Sequence, residues 1–171
     1  DVHLSVNAGP DLLLDPRLRR RLVQSGLPLH RLVIEVTEHA RVTDYAALSH
    51  AVESLREHRI RFAIDDTGAG YASLNHVLQL RPDMIKLDRG LITGVESDPA
   101  RRALVTALVL LALELGATVT GEGIETLGQL EALETLGVDH GQGYLLARPT
   151  IDRAQWASWW ADRTLAVTSP V

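Results

Sequence analysis

A chain of 171 residues, 46% hydrophobic and 23% charged, has the size and composition of one globular domain with a sizeable core. Its net charge of −5 argues against duplex DNA as a partner. The absence of cysteine excludes disulfides, thiolate metal sites and a cysteine nucleophile. The longest apolar run, Ala103 to Leu115, carries Thr106 and Glu114 and is too short to span a bilayer, so no membrane contact is expected of this segment.

One unit recurs along the chain: a short β-rich run that ends in a polar residue, then an amphipathic helix. The chain opens on the first run, Val2–Val6, with no signal peptide and no initial methionine, so it is expected to begin inside a domain. Asp15 before Pro16 caps the next helix, and Gly26 falls where it stops. Leu32–Val36 is the second run, and Asp44 caps a helix carrying Leu48, Val52 and Leu55 at helical spacing. Ile60–Ile64 and Asp83–Leu87 follow. Asp98 before Pro99 opens the longest helix, which Gly116 ends. Ala117–Thr120 is the fifth run. Thr126 with Gln129 forms a capping box for the helix Leu127–Leu136, Gly137 ends it, and Val138–Leu145 is the sixth run.

Strands alternating with helices imply an α/β fold with parallel pairing. Mostly continuous apolar runs fit strands covered on both faces. No Gly-rich dinucleotide fingerprint follows the first strand, which disfavours an open doubly wound sheet. An eight-unit (β/α) barrel typically needs ~250 residues. The chain supplies about six units, so the reading is a (β/α)8 barrel whose first strands lie outside it. Open strand edges would make these residues alone prone to aggregate or dimerise.

The polar residues closing the runs are Asn7, Glu35 with Glu38, Asp65 with Asp66, Lys86 with Asp88, Glu122 with Glu125, and Gln142. In a (β/α) barrel the C-terminal strand ends form the active-site face. Carboxylates gathered in one bowl repel each other unless cations bind there. With oxygen ligands and no thiol, the expected ion is hard: Mg²⁺, Mn²⁺ or Ca²⁺. Asp65 and Asp66 could serve two ions about 4 Å apart, a geometry that activates water for phosphoryl displacement. Taken singly, each acidic residue is more often a helix cap than a ligand; their recurrence at six strand ends favours a metal site.

Lys86 is the only lysine among 17 basic residues, and it lies in an apolar strand. Lysine is a compact point charge whose pKa responds to burial, whereas arginine stays charged. Lys86 therefore reads as a site residue beside phosphate, water or a metal-bound carboxylate, against the plain alternative of a solvated strand edge. His39 is the one histidine near the bowl. Trp156, Trp159 and Trp160 form a stripe on the last helix that reads as a packing face, with an inter-domain contact as the alternative.

Ser5-Val6-Asn7, Glu35-Val36-Thr37-Glu38, Asp65-Asp66-Thr67-Gly68-Ala69-Gly70-Tyr71, Ile85-Lys86-Leu87-Asp88, Gly121-Glu122-Gly123-Ile124-Glu125-Thr126 and Gln142-Gly143-Tyr144 resemble, in order and spacing, the EAL domain family. That family comprises bacterial phosphodiesterases that hydrolyse cyclic di-GMP to linear pGpG on a TIM-like (β/α)8 barrel of EAL type. The resemblance implies that Asn7, Glu35 and Asp65 bind a first Mg²⁺ or Mn²⁺, with Asp65 bridging to a second ion near Asp66. It implies that Glu122 lies beside the metals, directly or through water. It implies that Lys86 contacts the nucleophilic water or the second metal site and that Glu38 anchors the loop after Asp66. Asp88, Glu125 and Gln142 fall on further active-site positions.

The resemblance also implies a partial EAL barrel over residues 1–163 with a tail at 164–171, a cytoplasmic setting, a homodimer, and sensory or GGDEF-type domains upstream. The family's signature Glu-Ala-Leu and a nearby substrate-binding arginine belong to an early strand upstream of this chain. Glu131-Ala132-Leu133 falls in a helix and is not that motif. The family's Phe-Gly-Thr-Gly loop is Thr67-Gly68-Ala69-Gly70 here, and its Asn-Leu-Ser is Asn7-Ala8-Gly9. Two alternatives to hydrolysis stand beside it: a degenerate domain that binds cyclic di-GMP or a protein partner, and an enolase-like proton-abstracting enzyme.

Overall fold

The structure is a computed structural model that describes residues 3–37, 41–68, 72–152 and 154–155. Six strands, β1 (Leu4–Asn7), β2 (Leu32–Thr37), β3 (Arg61–Thr67), β4 (Met84–Leu87), β5 (Thr118–Glu122) and β6 (His140–Gln142), form one sheet in sequence order, every neighbouring pair parallel. The helices are α1 (Pro10–Leu14), α2 (Pro16–Gln24), α3 (Tyr45–Arg56), α4 (Ala72–Leu80), α5 (Arg89–Ile92), α6 (Pro99–Leu115) and α7 (Leu127–Thr135), with a 3-10 turn at 29–31. Among the described residues the sheet is part of a barrel wall, with β1 and β6 at its two ends. His39, the tryptophan stripe and the 164–171 tail lie outside the described residues.

The expected caps are present. Asp15, Asp44 and Asp98 each accept a backbone N–H at the start of α2, α3 and α6. Thr126 and Gln129 make the reciprocal capping box of α7. Gly116 closes α6 at φ 70°, which a side chain with a Cβ would resist.

The two faces of the sheet have different fates. On the helix side, Ile34, Val36, Phe62, Ile64, Ile85, Leu87 and Val119 pack with Leu48, Val52, Leu55, Val105 and Leu108 in one core. Each such side chain stabilises the fold by about 1.5–3 kcal/mol when fully buried. The opposite face holds a separate small cluster, Val33, Ala63 and Met84. It forms an apolar floor, and the next inward residues up the strands are polar.

Two strands differ from their expected extents in an informative way. Strand β6 covers only His140–Gln142, not the whole Val138–Leu145 run. A Cβ on Gly143 would lie 2.2 Å from the backbone N and O of Ile124, so the chain after β6 presses on the β5–α7 loop and leaves the sheet. Strand β3 runs on to Thr67, three residues beyond the expected Ile64.

An aspartate starts two of the inter-strand ladders. The Asp83 amide donates to Phe62 O at 2.8 Å and its carboxylate accepts Phe62 N–H at 2.8 Å. Asp139 does the same to Val119, at 3.1 and 2.7 Å. Asp139→Ala leaves a buried amide without its acceptor and is expected to cost about 1–3 kcal/mol in urea unfolding, with Asp139→Asn costing less. Equal midpoints for wild type and the alanine variant would remove this role.

Candidate metal centre

The site sits at the C-terminal strand ends above the apolar floor. Lys86 is on β4, and its register partner Thr120 and the adjacent inward residue Glu122 are on β5. Glu35 on β2 pairs with Asn7 on β1 and with Ala63 on β3, so its side chain shares the inward face. Lys86 is 7% exposed, which removes the solvated-edge reading. Its Nζ lies 3.0 Å from Glu35 Oε2, 2.9 Å from Asp65 Oδ1 and 2.7 Å from Glu122 Oε1. One ammonium is therefore shared by three carboxylates from three strands.

Burial by itself would lower the Lys86 pKa. Its contacts with Glu122, Asp65 and Glu35 outweigh burial and hold it above the ordinary lysine range. Burial raises the Glu122 pKa above the usual carboxylate range; Lys86 opposes this, and Asp65 and Glu35 add to it. The two directions are consistent: three carboxylates share one ammonium, so Lys86 gains from all three while Glu122 meets burial and two like charges.

A backbone irregularity places the aspartate pair. Adjacent strand residues ordinarily face opposite sides of a sheet. The β3–β4 register shifts between Ile64 and Thr67, and Asp66 adopts φ 58°, in the left-handed region. Aspartate tolerates that region better than most residues with a Cβ. As a result Asp65, Asp66 and Glu122 each offer a carboxylate oxygen, all within 4.8 Å of one another. Asp65 Oδ1 is one of the three carboxylate oxygens on the Lys86 ammonium, at 2.9 Å. A cluster of hard oxygen donors in which three carboxylates share one ammonium fits a divalent cation.

The remaining candidates occupy the rim or lie beyond view. Asn7 is exposed at the end of β1, level with Glu35. Gln142 is exposed at the end of β6 and in register with Glu122. Asp88 caps α5 by accepting Gly90 N–H at 2.7 Å. Glu125 pairs with Arg89 at 3.0 Å. Glu38 lies outside the described residues. Arg89 was not among the sequence candidates, because arginine is common here and its pairing with Glu125 depends on the turn after β5. Glu131-Ala132-Leu133 is helical, within α7, as expected.

The family model described as EAL domain matches residues 1–149. The chain is 36% identical over 132 residues to the bifunctional diguanylate cyclase/cyclic di-GMP phosphodiesterase MucR of Pseudomonas aeruginosa, covering 77% of this chain and 19% of that protein. It is 32% identical over 152 residues to the cyclic di-GMP phosphodiesterase RocR of the same organism, covering 86% and 39%. Among solved structures, the manganese/cyclic di-GMP complex of Klebsiella pneumoniae BlrP1 aligns with a TM-score of 0.77 at 34% identity, over 86% of this chain and 39% of that one. The calcium/cyclic di-GMP complex of BlrP1 aligns with a TM-score of 0.78 over the same shares. The chain spans about a fifth of the length of the first curated relatives it matches. By its matching segment and its barrel wall, the chain belongs to the EAL domain family.

Proposed function

We propose that this chain is the greater part of a cyclic di-GMP phosphodiesterase barrel, which hydrolyses its substrate to linear pGpG with Mg²⁺ or Mn²⁺. The observation that carries the reading is the convergence of Glu35, Asp65 and Glu122 on Lys86, with Asp66 in the same oxygen cluster. The relatives named for this activity, and the manganese complex of BlrP1 with cyclic di-GMP, support it. Asn7, Glu35, Asp65, Asp66 and Glu122 would hold the one or two ions. When bound, such ions lower the pKa of the attacking water and offset charge on the phosphoryl oxygens. Glu122, at the edge of the cluster, accepts a proton from that water. The water oxygen bonds to phosphorus, one P–O3′ bond breaks, the departing 3′ oxygen takes up a proton from solvent, and Glu122 returns its own to solvent. Lys86, held protonated, orients the water and stabilises the charge that develops. Asp88, Glu125, Gln142 and Glu38 fix the rim and its loops.

A lysine held so firmly protonated is a poor base, which disfavours the proton-abstracting alternative. The nucleotide-receptor reading draws on the altered loop, where Thr67 Oγ1 is buried without a hydrogen-bond partner. The wider setting proposed is a cytoplasmic homodimer, with the barrel over 1–163, a tail at 164–171, and sensory or GGDEF-type domains upstream. Exposed Leu104, Leu110 and Leu113 on α6 favour an apolar contact with a second copy. Among the described residues no helix is long and apolar enough to cross a membrane.

Three outcomes test the reading. The intact protein converts cyclic di-GMP to pGpG with Mn²⁺ or Mg²⁺, and Glu122→Gln lowers kcat by about 10²-fold or more; nucleotide binding without product would leave the receptor instead. Lys86→Met strands three buried carboxylates and is expected to cost about 3–5 kcal/mol in metal-free unfolding, part of it recovered with Mn²⁺; identical metal-free stability would contradict the shared-ammonium picture. The third outcome concerns pH. The folded-state pKa of Glu122 lies above its unfolded value, so the ionised carboxylate costs stability at neutral pH. That cost fades as pH falls through the folded pKa. Glu122→Gln should therefore melt higher than wild type at pH 7 without metal, with the gap closing on acidification; a lower melt at pH 7 would overturn the charge assignment.

A further inference from the structure

The β4–β5 ladder stops short of the glutamate it must position. Its last register pair is Leu87 with Gly121. Lys86 lies inside the paired region, and Glu122 lies one residue past it. Glu122 is paired only to Gln142 on β6, so β4–β5 pairing alone does not set the 2.7 Å separation of Lys86 Nζ and Glu122 Oε1, and what holds the two strands' continuations together contributes to it.

The β5 continuation turns sharply. Gly123 has φ 68°, and a Cβ there would lie 2.6 Å from Arg89 Cγ, 2.8 Å from its Cβ and 2.9 Å from its Cδ. The Arg89 stem therefore lies flat on the Gly123 backbone, in space that only glycine leaves open. Arg89 is the first residue of α5, three positions after Lys86. Its Nη2 reaches past Gly123 to Glu125 Oε1 at 3.0 Å.

Glu125 is a fixed anchor. Its amide donates to Gln129 Oε1 at 2.8 Å, within the α7 capping box. The preceding Ile124 is fully buried, donates to Gln142 O at 3.1 Å and accepts from Leu145 N at 3.0 Å. The guanidinium thus ties the end of β4 to a rigid corner three residues beyond Glu122.

We propose that Arg89 is a positioning residue that straps the ends of β4 and β5 together through Gly123 and Glu125 and so sets the spacing of Lys86 and Glu122. The consequence for hydrolysis rests on the phosphodiesterase reading; the consequence for metal binding rests on the geometry alone. An ion pair whose side chains are 62% and 41% exposed adds little to global stability, so its effect appears at the site rather than in the melt. A displacement of about 1 Å in a catalytic constellation can cost about 10²-fold in rate.

The test uses the intact protein and its Arg89→Ala, Arg89→Lys, Glu125→Gln and Arg89→Ala/Glu125→Gln variants. Pooled measurements are cyclic di-GMP turnover, Mn²⁺ affinity by calorimetry and Tm. Expected are kcat losses of about 10- to 100-fold in Arg89→Ala and Glu125→Gln with KM nearly unchanged. The double variant should be no slower than the singles, because one coupled element is removed once. Mn²⁺ affinity should weaken in the same variants, Arg89→Lys should retain most of both properties, and Tm should barely move. Wild-type kcat and Mn²⁺ affinity in Arg89→Ala would overturn the strap. So would a raised KM with kcat intact, which would mean that Arg89 contacts the nucleotide itself. If wild-type protein makes no pGpG, the phosphodiesterase reading fails, and the Mn²⁺ titrations still decide the strap.

Discussion

A single buried ammonium organises the site. Lys86 stands on an apolar floor of Val33, Ala63 and Met84 and meets Glu35, Asp65 and Glu122 from three strands. In that setting each charge is expensive alone, and each is tolerable only because of the others. The arrangement also explains why this position carries lysine and not one of the sixteen arginines. A compact ammonium with three donors can serve three converging oxygens, whereas a planar guanidinium needs room and presents a flat fork. The central strand β4 is buried along its whole length.

The balance at Lys86 is incomplete. The raised Glu122 pKa, set first by burial and then by the charges of Asp65 and Glu35, marks a place where a divalent cation has charge to neutralise. A cluster fully neutralised by protein cations would be more stable and would have less need of a metal. Stability is held back at the point where the ion would enter, as at many functional sites. The strand-end geometry serves the same purpose: the irregularity at Asp65 and Asp66 sacrifices regular pairing and puts Asp66 at φ 58°, and two adjacent carboxylates reach one cluster.

Much of this is legible in the sequence alone. Alternating strand and helix signals give a parallel sheet, and the six runs emerge in sequence order across it. The polar residues closing the runs include all four groups that meet at the ammonium: Glu35, Asp65, Glu122 and Lys86 itself. Capping chemistry is local, so Asp15, Asp44, Asp98 and Thr126 read correctly. What stayed hidden depends on distant backbone. A positive φ at Asp66 leaves no mark in composition, because aspartate is equally at home in a strand end or a cap. The short β6 reflects the pressure of Gly143 on Ile124, a contact across 19 residues of chain that periodicity cannot register. The short helices α1 and α5 are below the length at which helical spacing becomes a signal.

The sheet has a division of labour along its strands. At their starts, aspartates 83 and 139 lock the neighbouring strand by paired backbone and carboxylate bonds, and the core behind Ile64, Ile85 and Val119 is apolar. At their ends the ladders are interrupted, short or finished, and spacing passes to side chains: Lys86 between strands, Arg89 over Gly123, Gln129 under Glu125. Backbone pairing is rigid but fixed by register, so it cannot set carboxylate separations finely. Side-chain straps can be adjusted by single substitutions without disturbing the sheet. A barrel that assigns folding to one end of its strands and spacing to the other can alter its chemistry through residues such as Arg89 while the wall beneath them stays the same.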